Sequence, residues 1–453
     1  MTILFDPLVH PFPDQAQPDP QTYWLAIAGT GPADDGPVTG EMDAEVAIIG
    51  GGYAGLSCAL SLARDHGIRA VVLEARSSAW GCSGRNGSFA RISGGRVPLA
   101  RLLETYGEAS ARAYFDEMKQ ALANLKILIA EGGIDCDVQP DGVYKVAAFR
   151  AHAEGLRREA HLYNATFDYP ARFVPPEALP GVHGGAEAFG ALHLPDGFSL
   201  NPLKLAHGIH VLAREQGARI HANSPVTAWQ TINGRHWLKT PSGTVRARHV
   251  VVATNGYTSP KLHAQLAGRV LPVHSQIIVT PPLSEAQIAA SLPSGNCMFD
   301  TRSLLFYYRR LPDNRILFGG RSAISGEDAQ APRHRRYLQD ALTRKFPALA
   351  GTGVDYWWGG WVAVSRNSLP FCYALPGVDN AYAAGGYAGS GVSFSIHLGT
   401  KLALMASGKP FKTGASFLTR EPRRYPFPPL LRFGQWMAYR WLHAKDARQA
   451  RKP

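Results

Sequence analysis

The chain has 453 residues, 45% hydrophobic and 18% charged, which excludes a disordered polymer and fits two or three folded domains. Lys plus Arg outnumber Asp plus Glu by 47 to 35, a net charge of +12, so the fitting partners are anionic: a nucleotide, a carboxylate, an acidic membrane surface or nucleic acid. Five cysteines without a CxxC pair or a Cys/His run exclude a zinc or disulfide framework, and no metal site is expected.

Residues 1–43 read as an N-terminal arm without regular structure, interrupted by Pro7, Pro11, Pro13, Pro18, Pro20, Pro32 and Pro37. The arm shows no charged-then-apolar leader, and no stretch is apolar over the ~18 residues a membrane span needs. A cytoplasmic protein is expected. Residues 45–49 form a short apolar run of buried-strand type that enters Gly50-Gly51-Gly52-Tyr53-Ala54-Gly55. A helix over 56–66 and a second strand over 70–74 complete one βαβ unit. Gly50 permits the turn, Gly52 lets a phosphate approach the backbone, and Gly55 lets the helix pack close. A dinucleotide pyrophosphate can therefore sit at the helix N-terminus. Glu74 ends the second strand about 20 residues after the glycines, where a carboxylate accepts ribose hydroxyls and disfavours a 2′-phosphate. At this point the dinucleotide stays open.

The next segment, 80–95, is a polar Gly/Ser-rich loop holding Gly81-Cys82-Ser83-Gly84-Arg85-Asn86-Gly87, suited to run along a pyrophosphate and a ring face. Helical spacing predicts helices over 99–131, 151–165 and 202–216, with strands over 142–148, 172–174, 219–222 and 226–230. A hairpin, 236–240 and 244–247, leads into a second buried strand at 250–253. Residues 271–280, 304–311 and 315–320 alternate like antiparallel strands, and 335–346 is helical. A third buried strand, 381–384, ends in a Gly-rich turn before a helix over 392–407. The three buried strands lie far apart, so one nucleotide-binding sheet is expected from scattered segments: 44–96, 196–260 and 354–410. A β-rich substrate domain, 97–195 and 261–353, is expected between them, and 411–453 reads as a basic aromatic tail. The fold class is α/β and two-lobed.

The βαβ unit with Glu74, the 80–87 loop, Ala253-Thr254-Asn255-Gly256-Tyr257 and Gly386-Tyr387-Ala388-Gly389-Ser390-Gly391-Val392 together resemble the D-amino-acid oxidase superfamily of FAD enzymes. Tyr23-Trp24, Ser83-Gly84-Arg85-Asn86-Gly87 and Trp358-Gly359-Gly360 resemble its gamma-glutamylputrescine oxidase branch. The likeness runs from about residue 22 to about residue 440, and it implies a Rossmann-type FAD domain of glutathione-reductase type with an inserted substrate domain. It places Gly50, Gly52, Tyr53, Ala54, Gly55, Glu74, Ala75 and Arg76 on the ADP half of FAD. Gly81, Ser83, Gly84, Arg85, Asn86 and Gly87 would follow the pyrophosphate and isoalloxazine, Val226 would meet the adenine, and Thr254, Asn255 and Gly256 the pyrophosphate. Gly359 would also border the cofactor. Gly389, Ser390, Gly391 and Val392 would open a helix whose dipole stabilises negative charge on reduced flavin. Some relatives attach flavin through a Cys just after the Trp-Gly-Gly region. Here Val362-Ala363-Val364-Ser365 stands there, which implies non-covalent FAD, and Cys372 reads as a small buried hydrophobe.

The activity so implied is oxidation of a C–N bond in an amine or amino acid. Hydride leaves a neutral amine for flavin N5, the imine is hydrolysed, and electrons pass to O2, giving H2O2, or to another acceptor. Arg309 is the candidate carboxylate grip, Tyr307 shares its strand face, and Ser390 completes the candidate substrate side. Arg321 and Gln276 are secondary candidates. His274 reads as a satisfied or surface histidine, and Tyr106 and Tyr114 as packing residues. The implied substrate is gamma-glutamylputrescine or a related carboxylate-bearing amine. The alternatives are a membrane-associated dehydrogenase of an amino acid or secondary amine that reduces a quinone, and a flavin-binding protein without activity. Residues 420–453 hold nine Lys or Arg against Glu421 and Asp446, interleaved with Leu430, Leu431, Phe433, Trp436, Met437, Tyr439, Trp441 and Leu442. The expectation is a helix packing its apolar side on the protein's own body; the alternative is a helix lying in a membrane interface. Nucleic acid is not expected, because no recognised module accompanies the charge.

Overall fold

Val46, Ile48, Val250 and Val251 are fully buried in continuous apolar runs, as parallel strands covered on both faces require. The computed structural model describes residues 5–15, 17 and 19–451, so Pro18 of the arm and Lys452 of the tail lie outside the described residues. The helices are α1 (Tyr23–Ala28), α2 (Tyr53–His66), α3 (Leu99–Glu131), α4 (Ala153–Phe167), α5 (Pro202–Glu215), α6 (Glu285–Ala289), α7 (Pro332–Lys345), α8 (Val392–Ala406) and α9 (Leu431–Ala450).

The first sheet runs in the order Phe371–Ala374, Ala381–Gly385, Gly243–Val252, Gly40–Ile49, Val71–Leu73, Arg219–His221. Its inner pairs are parallel, with Ile48 opposite Val251 and Ile48 opposite Val72 on the other side. Val250 stands opposite Ala381. The hairpin Ala228–Ile232 and Arg235–Lys239 extends the strand Gly243–Val252. Helix α2 packs against α5 and α8 over this sheet. The close approach is possible because Gly55 has no side chain: a Cβ there would lie 1.9 Å from the Gly50 carbonyl oxygen.

The second sheet runs Tyr356–Ser365, Val270–Val279, Ile316–Arg321, Tyr307–Arg310, Cys297–Asp300, Val143–Val146, Ala191–Leu194, Arg172–Val174. Its pairs are antiparallel except Cys297–Asp300 with Val143–Val146. Helix α7 packs on it, and Leu338 and Leu342 join Phe306 and Phe318 in a separate core. The segment 356–365 departs from expectation. Its apolar run suggests the nucleotide-binding lobe, but all ten residues pair with Val270–Val279, so Trp358-Gly359-Gly360 belongs to the second sheet.

The arm is also more regular than its prolines suggest. Pro20 and Pro32 flank α1 and leave it whole, Thr22 caps it by accepting the Leu25 N–H, and Tyr23 and Trp24 are buried. The tail departs most from expectation. Helix α9 turns Phe433, Trp436, Met437 and Trp441 to solvent and buries Gln435. Among the described residues, no helix is long and apolar enough to cross a membrane.

Candidate active site

A cavity of about 260 Å³ opens between the two sheets, lined by the first turn of α2, the 80–91 loop, the Gly389–Val392 turn and the strand at Tyr307. Gly50 sits at φ +110°, where a side chain would be strained, and a Cβ on it would stand 2.9 Å from the Ala253 carbonyl oxygen. A Cβ on Gly52 would meet the Ser83 hydroxyl at 2.9 Å, and Ser83 accepts the Tyr53 N–H at 3.0 Å. Glu74 reaches back under this turn, its Oε2 accepting the Gly51 N–H at 2.6 Å and its Oε1 the Arg76 N–H at 3.0 Å. Burial raises its carboxyl above the ordinary range, while these N–H groups favour the carboxylate.

Three stretches distant in sequence converge on the next part of the wall. Trp24 Nε1 donates to the Asn86 carbonyl at 3.0 Å, and Trp358 Nε1 to the Arg85 carbonyl at 2.9 Å. The two indoles meet edge to face, their centroids 6.3 Å apart. The Asn86 side chain donates to the Cys82 and Ser83 carbonyls and accepts the Ser88 N–H, so the loop is stapled internally as well. Arg85 stacks 3.9 Å from the Trp80 ring, donates from Nε to the Trp80 carbonyl, and leaves a buried Nη2 without a partner among the described residues.

The wall facing this loop is made by Tyr307. Its ring is sandwiched between Gly87 and Gly319, where added Cβ atoms would stand 2.7 and 2.3 Å away, so neither position tolerates a side chain. Its hydroxyl meets Ser275 Oγ at 3.0 Å, and burial pushes the phenol up to about 12, so it stays neutral. Arg91, Arg96 and Arg321 also line the cavity, whereas Glu74 is its one acidic lining residue among the described residues. Arg91 donates to Ser390 Oγ at 3.0 Å and lies 4.6 Å over Phe299. Among the described residues, Arg321 reaches only the Ala388 carbonyl, at 3.4 Å. Burial lowers Arg96 to about 10, which leaves it cationic at neutral pH.

Of the residues expected at the cofactor, the lining includes Gly50, Gly52, Tyr53, Ala54, Glu74, Ala75, Gly81, Ser83, Arg85, Asn86, Gly87, Val226, Thr254, Asn255 and Gly389 to Val392. Five others stand outside it. Gly55 serves helix packing, and Gly84 and Gly256 press against the carbonyls of Ala79 and Trp361. Arg76 sends its guanidinium into the arm, to the carbonyls of Asp14, Gln15 and Gln17. Gly359 faces His274, and its neighbour Gly360 takes the cavity position.

Arg309 is likewise displaced from its expected role. It is on the strand face of Tyr307 but one pleat further along, 1% exposed, where it bonds Gln139, the Leu200 carbonyl at 2.8 Å and Ser88 at 3.3 Å. It also lies 5.2 Å from the Trp24 ring, behind the flavin-loop clamp. Ser390 uses its hydroxyl on Arg91 and on the Gly95 carbonyl. Gln276 donates to Ala329, and Tyr114 packs against Phe394 and Phe417, all away from the cavity. His274 is neither surface nor satisfied: it is buried, its Nδ1 lacks a partner among the described residues, and burial lowers it to about 3. Cys372 is buried with its sulfur 3.8 Å from that of Met405.

Sequence reasoning missed Arg91 and Arg96. Their signal was present: residues 75–103 hold five Arg and no Asp or Glu, so a cation there has no local acid to pair with. It also missed Pro11, Phe12 and Pro13, which bring the arm to the cavity.

The residues fit FAD. The glycines leave a cradle that side chains would fill, α2 and α8 begin there without side-chain caps, and the buried Arg85 Nη2 awaits an acceptor. The model of the FAD dependent oxidoreductase family, DAO, matches residues 45–405. The chain is 32% identical over 384 residues to gamma-glutamylputrescine oxidoreductase of Escherichia coli (strain K12), covering 85% of this chain and 88% of that one. It is 29% identical over 414 residues to the probable oxidoreductase OrdL of Rhizobium meliloti (strain 1021), covering 90% and 93%. Among solved structures, glycine oxidase from Geobacillus kaustophilus superposes with a TM-score of 0.72 at 19% identity, over 84% of this chain and 99% of that chain. Cradle, fold and sequence agree: the chain belongs to the DAO family of FAD-dependent oxidoreductases, with its sequence likeness in the gamma-glutamylputrescine oxidoreductase branch.

Proposed function

We propose that this oxidoreductase oxidises the C–N bond of an amine that also carries a carboxylate, gamma-glutamylputrescine or a close analogue. One observation supports this most: Arg85, Arg91, Arg96 and Arg321 line a cavity whose one acid among the described residues, Glu74, is already bonded to backbone. Guanidinium forks of this kind suit a bidentate carboxylate, and a low-dielectric wall strengthens the pairing. Arg321 is the proposed grip, tied to the protein by one long bond to the Ala388 carbonyl at 3.4 Å, and Ser390 orients Arg91. Phe299, Leu305 and Tyr307 supply an apolar wall that excludes water and favours the neutral amine. Bound FAD supplies the two-electron acceptor for C–N oxidation, with O2 as the proposed final oxidant giving H2O2. The absence of a Cys between Val362 and Ser365 supports non-covalent FAD.

The test is anaerobic bleaching of the purified holoprotein's flavin absorbance by a panel of amines. Bleaching by carboxylate-bearing amines, reversed by air and weakened in Arg321→Ala, is expected. Equal bleaching by amines without a carboxylate would overturn the substrate reading. A second reading, with a quinone as acceptor, is favoured by the exposed aromatic face of α9, and bleaching that air does not reverse would support it.

A further inference from the structure

A helix packed to hide apolar surface turns that surface inward; α9 does the reverse. Arg432 donates to the Pro272 carbonyl at 2.9 Å and pairs with Asp6 at 2.5 Å. Gln435 is buried and bonds Tyr439 at 3.3 Å. Asp446 accepts the Ser303 N–H at 3.1 Å, and Gln449 meets His152 at 3.0 Å. These polar residues are spaced by three, four, seven and three positions, so they share one face of the helix.

On the opposite face Phe433, Trp436, Met437 and Trp441 are 61%, 43%, 51% and 64% exposed, and Phe427 and Leu430, just before the helix, are 73% and 58% exposed. Every exposed Phe or Trp among the described residues lies in this segment. The same face continues into Arg440, Lys445 and Arg448, all exposed. The Arg440 guanidinium lies 5.1 Å from the Trp436 ring and the Lys445 ammonium 5.8 Å from that of Trp441. Asp446, the one acid of α9, points inward.

We infer that this face of α9 docks the protein on an anionic lipid surface. Its polar side is spent on the protein, so its aromatic side is free to enter the headgroup region. Indole rings rest at that depth, and long cationic side chains reach from it to lipid phosphates. A second copy fits less well, since a twofold contact would bring the cations of both copies onto one face that offers no acid to pair with them. The helix is fastened at two points to segments bordering the cavity: Arg432 lies 4.9 Å over Trp361, beside Gly360, and Asp446 holds the turn before Leu305. The inference does not rest on the proposed amine chemistry.

Flotation of the holoprotein with vesicles tests it. The protein is expected to float with phosphatidylglycerol–phosphatidylcholine vesicles at low salt and to remain below with phosphatidylcholine alone. The double variant Trp436→Ser, Trp441→Ser and the triple variant Arg440→Gln, Lys445→Gln, Arg448→Gln should each bind about tenfold less or weaker. Both should keep bound flavin and wild-type bleaching rates, because none of these residues lines the cavity. A wild type that stays below in every gradient, or a double variant that floats equally, overturns the inference. A lipid-free dimer that the tryptophan substitutions dissociate would assign the face to a second copy instead. Retention on immobilised polyaspartate without flotation would assign it to an acidic protein.

Discussion

The two ends of the cavity are built by different means. The nucleotide end is backbone: glycines, a helix N-terminus and one carboxylate within residues 50–74, close in sequence because a single turn must cradle a phosphate. The far end is side chains from distant segments: Arg91 and Arg96 from a loop, Tyr307 and Arg321 from strands, Ser390 from the turn before α8. A backbone cradle tolerates no added atoms, whereas a side-chain wall can be altered one group at a time. The first kind fixes the cofactor, and the second is where a change of side chain can change the substrate.

The largest test breaks the cradle. Gly55→Ala puts a carbon inside the Gly50 carbonyl contact, and a loss of about 3 kcal/mol together with loss of bound flavin is expected from thermal melts and the flavin-to-protein absorbance ratio. A smaller pair separates the two arginines of the strand wall. Arg321→Ala should raise KM about 30-fold, about 2 kcal/mol, with a melting temperature near wild type. Arg309→Met should do the opposite: it removes the charged donor from Gln139 and the Leu200 carbonyl, which keep the Ser199 and Ser88 hydroxyls, costs about 2 kcal/mol of stability and leaves KM within about twofold. Equal effects of both on KM would return Arg309 to the site.

The next test is acid. His274 is held neutral behind Gly359, at about 3, while the unfolded chain takes up a proton near 6.5. Its contribution is therefore complete above about pH 6.5 and erodes as pH falls toward 3, by about 1 kcal/mol at about pH 5.5. His274→Gln should flatten that part of the melting temperature profile; an unchanged slope would assign the acid sensitivity to His183 and His207, also lowered, to about 3 and about 4. The smallest effect is expected at Ser390→Ala, which frees the Arg91 guanidinium and should raise KM about fivefold, about 1 kcal/mol.

The same contrast explains what could be read from the chain. Gly50 to Gly55 and Glu74 were legible because their spacing is local and their chemistry is that of the backbone. Arg309 was placed at the substrate because alternation correctly put it on the face of Tyr307, but alternation says nothing about depth along the strand. One pleat further, that face is under Trp24 and away from the cavity. The segment 356–365 was misplaced because an apolar run does not announce its partner strand. The tail misled for a related reason: apolar residues at helical spacing show a face, and only the docking of Arg432, Gln435 and Asp446 shows which way it points.

The parallel pairing of Val250 with Ala381, and the placement of α8's first turn on the cavity, have a bearing on how the protein is made. A ribosome that has released residues 1–380 has delivered the glycine turn, Glu74 and the flavin loop, yet not the strand and helix that close the site. Such long-range pairings are slow to form, and the half-built sheet exposes an apolar edge while it waits. The cofactor is therefore a late recruit, bound by a chain already largely synthesised, and its supply during expression should govern how much of the protein escapes aggregation.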